Sequence, residues 1–147
     1  MTKPDTKRIL YLIETPLNKR DYDRFGMGFL VAQGRHINVI DISTITMPEI
    51  ASHNAADQFE DIRMDRVGTL VDLFALAEIR DAAGIIISIF GSVGTTPMNL
   101  PIYRWLSKAT GKHMRIHCDS YPGMSRFKSD PRHFRERIKD IANRLMS

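Results

Sequence analysis

Residues 84–90 read Gly-Ile-Ile-Ile-Ser-Ile-Phe and residues 8–14 read Arg-Ile-Leu-Tyr-Leu-Ile-Glu, two short runs that are almost continuously apolar. A strand with one face in water alternates apolar and polar side chains, whereas a run without alternation has to be covered on both faces. Parallel strands in a layered α/β domain meet that demand, because the helices joining them lie on both sides of the sheet. Neither run approaches the roughly 20 apolar residues that a membrane-spanning helix needs, and the polar amino end has no signal-peptide core. A cytoplasmic location is expected.

The remaining sequence alternates between strand and helix patterns. Thr15-Pro16 ends the first run, since proline disfavours helix at the residue before it, and Asn18 is placed to cap a helix over residues 19–33. That helix carries Tyr22, Phe25, Phe29 and Leu30 on one face and stops at Gly34. With Ile-Asn-Val-Ile-Asp-Ile at residues 37–42, it completes a strand-helix-strand unit. Residues 43–67 fit neither period and are expected to form a loop, with a short strand near residues 61–66. A helix over residues 69–82 places Leu70, Leu73, Phe74 and Ala77 on a stripe widened by Val71 and Leu76. After the second apolar run comes a glycine-bearing loop, Gly91-Ser92-Val93-Gly94-Thr95-Thr96-Pro97. A helix over residues 99–109 follows, with Asn99 as its cap and Pro101 in its first turn. A strand over residues 113–119 and a helix over residues 131–145 complete the pattern, which at 147 residues amounts to one domain.

The charge is local. Residues 126–147 hold seven Lys or Arg against three carboxylates, a surplus that equals the +4 of the whole chain. The rest is balanced, so no global basic field points to nucleic acid as a partner. The last helix sets Phe134, Ile138, Ile141 and Leu145 against Arg132, Arg135 and Lys139. That pattern suits packing on the domain's own sheet or peripheral contact with an anionic membrane face. The one cysteine, Cys118, cannot form an internal disulfide and shares a strand face with Met114 and Ile116.

Ligands of open α/β sheets bind at the carboxyl ends of the strands, which here are residues 14–20, 41–46, 91–99 and 119–123. Glu14 closes an apolar strand, where burial raises a carboxyl pKa toward proton-transfer use. Asn18, Lys19 and Arg20 at a helix start suit a phosphate or carboxylate, or simply cap the helix. Ser92, Thr95 and Thr96 can bond to sugar or phosphate oxygens, and Asp119 ends the last strand. The Gly91 loop is neither a P-loop nor a dinucleotide fingerprint, since no Gly-Lys-Ser/Thr follows it and Gly26 and Gly28 fall inside the first helix. His113 and His117 share a strand face with Arg115 between them, and no third metal ligand is apparent. No metal site is expected, and no catalytic residue can be named from spacing.

Arg8-Ile-Leu-Tyr-Leu-Ile-Glu-Thr-Pro followed by Asn18-Lys-Arg-Asp-Tyr-Asp-Arg-Phe-Gly26, then Asn99-Leu-Pro-Ile-Tyr-Arg-Trp-Leu-Ser-Lys108, then Asp119-Ser-Tyr-Pro122, together carry a resemblance over most of the chain. They resemble the amino-terminal region of bacterial surface-polysaccharide biosynthesis proteins related to glycosyltransferases of the two-Rossmann-domain (GT-B) type. The resemblance implies an α/β three-layer sandwich with a mainly parallel sheet, Rossmann-like or flavodoxin-like. It implies that residues 1–147 are one domain and the amino-terminal half of a longer protein. Such a half contributes the acceptor side of the cleft, with Glu14, Asn18, Arg20, Ser92, Thr95 and Asp119 as ligand-facing residues. The partner would be a carbohydrate or a lipid-linked sugar acceptor. The nucleotide-sugar is expected on the carboxyl-terminal domain, so this domain needs no cofactor and is not expected to turn over alone. The alternative is a stand-alone small-ligand-binding or regulatory domain of flavodoxin-like build. Receiver domains of that build carry an acidic pair after the first strand, where this chain has Thr15-Pro16.

Overall fold

The structure is a computed structural model that describes residues 4–90 and 99–117. The elements in chain order are β1 (Asp5–Ile13), α1 (Lys19–Arg24), α2 (Met27–Ala32), β2 (His36–Asp41), α3 (Ser43–Thr46), α4 (Pro48–His53), β3 (Arg63–Arg66), α5 (Leu70–Ala75), α6 (Ala77–Ala82), β4 (Ala83–Phe90), α7 (Leu100–Ser107) and β5 (Lys112–His117). The five strands form one sheet in the order β3-β2-β1-β4-β5, and every pairing is parallel. This is the Rossmann order, with β4 beside β1 where a flavodoxin order would put β3.

Strand β1 divides its side chains between two cores. Ile9, Tyr11 and Ile13 join Leu17, Tyr22 and Met27 beneath α1 and α2. Leu10 and Leu12 join Leu73, Ile102, Trp105 and Leu106 beneath α5 and α7. The period of two therefore feeds both layers from one strand, and each fully buried aliphatic side chain contributes about 1.5–3 kcal/mol. No helix among the described residues is long and apolar enough to cross a membrane.

The helix expected over residues 19–33 is two helices. Gly26 adopts φ +67° and breaks the run, and Gly34 at φ +75° ends it. The turn swings Phe29 outward, so it is 69% exposed although the periodicity placed it on the core face. The helix over residues 69–82 is likewise interrupted, at Leu76, and leaves Val71 75% exposed while Leu73 is buried. Thr69 starts it with a capping box, exchanging hydrogen bonds with Asp72. The expected loop over residues 43–67 contains α3 and α4 as well as β3, which falls where a short strand was expected. Asn99 precedes α7 as anticipated, but its side chain makes no cap hydrogen bond to the helix. The last helix, Cys118 and the basic tail lie outside the described residues.

One aromatic clamp fixes α1 to the segment before β3. The Tyr22 ring stacks on Phe59 with centroids 4.3 Å apart and planes 5° from parallel, and its hydroxyl donates to the Asp61 carboxylate. Tyr11 donates to the Phe25 carbonyl at 2.9 Å, holding the turn between α1 and α2.

Two outcomes test this packing. A Cβ on Gly84 would lie 2.5 Å from the Asp5 carbonyl oxygen and 2.6 Å from the Thr6 Cα, both backbone atoms of the neighbouring strand. Gly84→Ala should therefore cost about 1–3 kcal/mol or more in urea denaturation. Gly68→Ala, whose nearest contact is the Asp72 carboxylate at 3.8 Å, should stay within about 0.5 kcal/mol. The second outcome concerns alkali. The hydrogen bond to Asp61, then burial, then the charges of Asp61 and Asp23 push the Tyr22 hydroxyl up to about 12, and burial alone does the same for Tyr11. Unfolded tyrosines ionise near pH 10, so between about pH 10 and 12 the unfolded chain holds fewer protons than the folded one. The stability these groups contribute is complete below that window and declines through it. Tyr22→Phe should lose less stability than the parent over the same window.

Candidate functional site

The strand order reverses between β1 and β4, the point at the carboxyl edge where ligands of open α/β sheets bind. Ile13 pairs with Asp41 of β2 on one side and Ile89 of β4 on the other, and the Ile42 amide donates to the Ile13 carbonyl at 2.9 Å. Glu14 thus leaves β1 beside the Asp41–Ser43 corner. Burial of polar groups concentrates here: Glu14, Asp41, Ser43, Ser88 and Asn99 are all buried. Burying polar side chains is unfavourable without partners, and an edge that collects them is arranged for hydrogen bonding.

Two amides at the start of α1, those of Lys19 and Asp21, are satisfied from within the chain. Asn18 accepts from the Asp21 amide at 2.9 Å and donates to the Asp21 carboxylate at 3.1 Å. The Lys19 amide donates to the Asp57 carboxylate at 2.7 Å. The anion that Asn18, Lys19 and Arg20 were expected to attract is thus supplied by Asp57 from the segment before β3. Lys19 itself reaches Asp23 at 2.6 Å. The Arg20 side chain is 78% exposed, with its guanidinium 3.4 Å from Asp21. Ser92, Thr95 and Asp119 lie outside the described residues.

Beside this corner, between the carboxyl ends of β2 and β3, is a cavity of about 340 Å³ lined by Asp41, Ala55, Ala56, Gln58, Met64 and Arg66. Asp41 is 1% exposed. Its carboxylate accepts from the Ser43 amide at 2.8 Å and from Arg66 Nε at 2.9 Å. Asp65, also at the cavity, is held by Arg63 through two contacts of 2.9 and 3.4 Å. The sequence reading did not single out these groups. One signal was present: Asp41 interrupts the apolar residues of Ile-Asn-Val-Ile-Asp-Ile where a core position would be apolar.

On the other half of the sheet, Ser88 Oγ lies 2.9 Å from His113 Nε2, and the Arg115 guanidinium stands 4.8 Å from the Tyr103 ring centre. Burial, and secondarily the charge of Arg115, lower the His113 pKa and favour the neutral ring. His113 is therefore engaged with a serine, and no cluster of three or more metal-ligating side chains occurs among the described residues.

The two arginine–aspartate pairs should respond differently to mutation. Arg66→Ala leaves the buried Asp41 carboxylate without its cation and should cost about 1–3 kcal/mol in denaturant unfolding. Arg63 and Asp65 are more exposed, so Arg63→Ala should cost no more than about 1 kcal/mol. No protein-family model, curated protein or solved structure matches the chain.

Proposed function

We propose that this chain is the acceptor-side domain of a glycosyltransferase-like protein of surface-polysaccharide biosynthesis. The observation that carries the reading is the start of α1, which follows β1 at the switch point and whose Lys19 and Asp21 amides are already met by Asp57 and Asn18. In nucleotide-binding sheets of this order, the free N–H groups of that helix receive the phosphates. Here a diphosphate would meet the Asp57 carboxylate instead, and Thr15-Pro16 stands where a glycine turn would allow close approach. A sugar acceptor needs no such cradle. It needs hydrogen-bonding groups at an edge, and Glu14, Asp41, Ser43 and Asn99 supply them. The nucleotide-sugar then belongs to a second domain facing this edge.

In this reading a hydroxyl of the acceptor attacks the anomeric carbon of the donor sugar, the nucleoside diphosphate leaves, and the hydroxyl proton passes to a carboxylate. Glu14 is the candidate for that proton, being buried at the end of the central strand.

The test compares residues 1–147 with the complete natural gene product, using nucleotide-sugar hydrolysis and transfer as readouts. Transfer that requires a longer product, with residues 1–147 binding the acceptor and turning nothing over, is the expected result. Glu14→Gln in the longer product should then lower the transfer rate by about 10²–10⁴-fold, the usual contribution of a general base. A natural product that stops at Ser147, or residues 1–147 binding a nucleoside diphosphate more tightly than any sugar, would instead favour a stand-alone ligand-binding domain.

A further inference from the structure

The cavity between β2 and β3 has the volume of a small-molecule site, within the roughly 300–1,000 Å³ range, at about 340 Å³. Its charges cancel in pairs, Asp41 with Arg66 and Asp65 with Arg63. Arg63 pairs with Asp65 from outside the lining, so each charged group that lines the cavity already has its counter-ion and an entering ion gains little net field. A neutral molecule with many hydroxyls does gain, because the paired groups keep unused hydrogen-bonding capacity. Asp41 is buried and serves to hold Arg66, whereas each oxygen of the more accessible Asp65 takes one donor from Arg63 and has room for a second. Arg66 spends only Nε on Asp41, and the Gln58 amide has no partner among the described residues. Ala55, Ala56 and Met64 add apolar surface of the kind that packs on the C–H face of a sugar ring. Arg66 is held by the buried Asp41 before any ligand arrives, which lowers the cost of ordering it.

We propose that this cavity is a subsite for one uncharged pyranose unit, gripped by Asp65, Arg66 and Gln58 and packed on Ala56 and Met64, with Asp41 holding Arg66 in position. It lies one strand out from Glu14, and neighbouring strands are about 4.8 Å apart. The unit it takes is therefore next to the reacting sugar of the acceptor and is not the reacting sugar itself. The inference rests on the acceptor-side reading for its substrate class, and on the cavity alone for its location.

The experiment is a ¹⁵N-HSQC titration of the 147-residue protein with methyl α-glucopyranoside, methyl β-galactopyranoside, methyl N-acetyl-β-glucosaminide, sodium glucuronate and inorganic phosphate. At least one neutral glycoside should shift the amides of Ser43, of residues 55–58 and of residues 64–66 saturably. Ala56→Phe, which fills the cavity and leaves both ion pairs intact, should weaken that binding by at least roughly tenfold. Gln58→Ala, at an exposed position that folding does not depend on, should weaken it several-fold and serves if the larger substitution unfolds the domain. The subsite is overturned if the neutral glycosides cause no shift there, or act only at Glu14, Thr15 and Asn18. It is also overturned if glucuronate or phosphate shifts the same amides at lower concentration. The two proposals fail separately. Glycoside binding in the cavity without transfer by any longer product keeps the subsite and removes the acceptor-side reading. Transfer whose acceptor KM is indifferent to Ala56→Phe does the reverse.

Discussion

Strand β1 must be dry on both faces, and the rest of the fold follows from that demand. Leu10 and Leu12 point into one core and Ile9, Tyr11 and Ile13 into the other. A strand of this kind cannot sit at an edge, and it needs helices above and below. Parallel neighbours β2 and β4 flank it, and parallel neighbours require crossovers that supply those helices. Because β2 and β3 are added on one side and β4 and β5 on the other, the reversal of direction falls beside β1. The apolar requirement of five consecutive side chains thus places β1 at the reversal of strand order.

What the carboxyl edge can hold is set by a second constraint, that a buried polar group needs a partner. At the start of α1 the partners come from the protein itself, with Asn18 and Asp57 taking the amides that a phosphate would use. At the end of β2 the same principle leaves a different result. Asp41 is matched by Ser43 and Arg66, yet the match consumes only part of what the guanidinium can bond. One polar cluster is closed and the neighbouring one is neutral but still receptive.

The strands were legible because an unbroken apolar run has few structural solutions, and residues 8–14 and 84–90 form strands within a few residues of their expected bounds. The helices were legible in place but not in continuity. Periodicity cannot tell an interior glycine that is tolerated from one at φ +67°, and Gly26 is the latter. Phe29 and Val71 were assigned to the core because each lies at a helical spacing from a buried residue. The break at Gly26 separates Phe29 from the face of Tyr22, and Val71, two residues from the buried Leu73 in the same short helix, falls on its outer face. Glu14 and Asn18 were found because strand ends and caps are local signals. Asp57, which acts on Lys19 from 38 positions away, and Arg66, which acts on Asp41 from 25, were not, because a pair that distant is made by the fold and leaves no mark in spacing.

The neutrality of the carboxyl edge also bears on how a two-domain enzyme would divide its work. A donor nucleotide carries its charge on phosphates, and those are best held where helix N–H groups or arginines remain unspent. Among the described residues, two amides at the α1 start and the cavity's Arg66 are already matched within the chain, so these groups contribute little attraction for a diphosphate. An acceptor sugar carries no charge and is distinguished only by where its hydroxyls lie. Rigid, paired carboxylates and guanidinium groups recognise that feature well, because they offer directional hydrogen bonds without a net field that would draw in anions. In the two-domain enzyme proposed above, an edge built this way would select against the donor as well as for the acceptor, and the two substrates would be kept to opposite walls of a shared cleft.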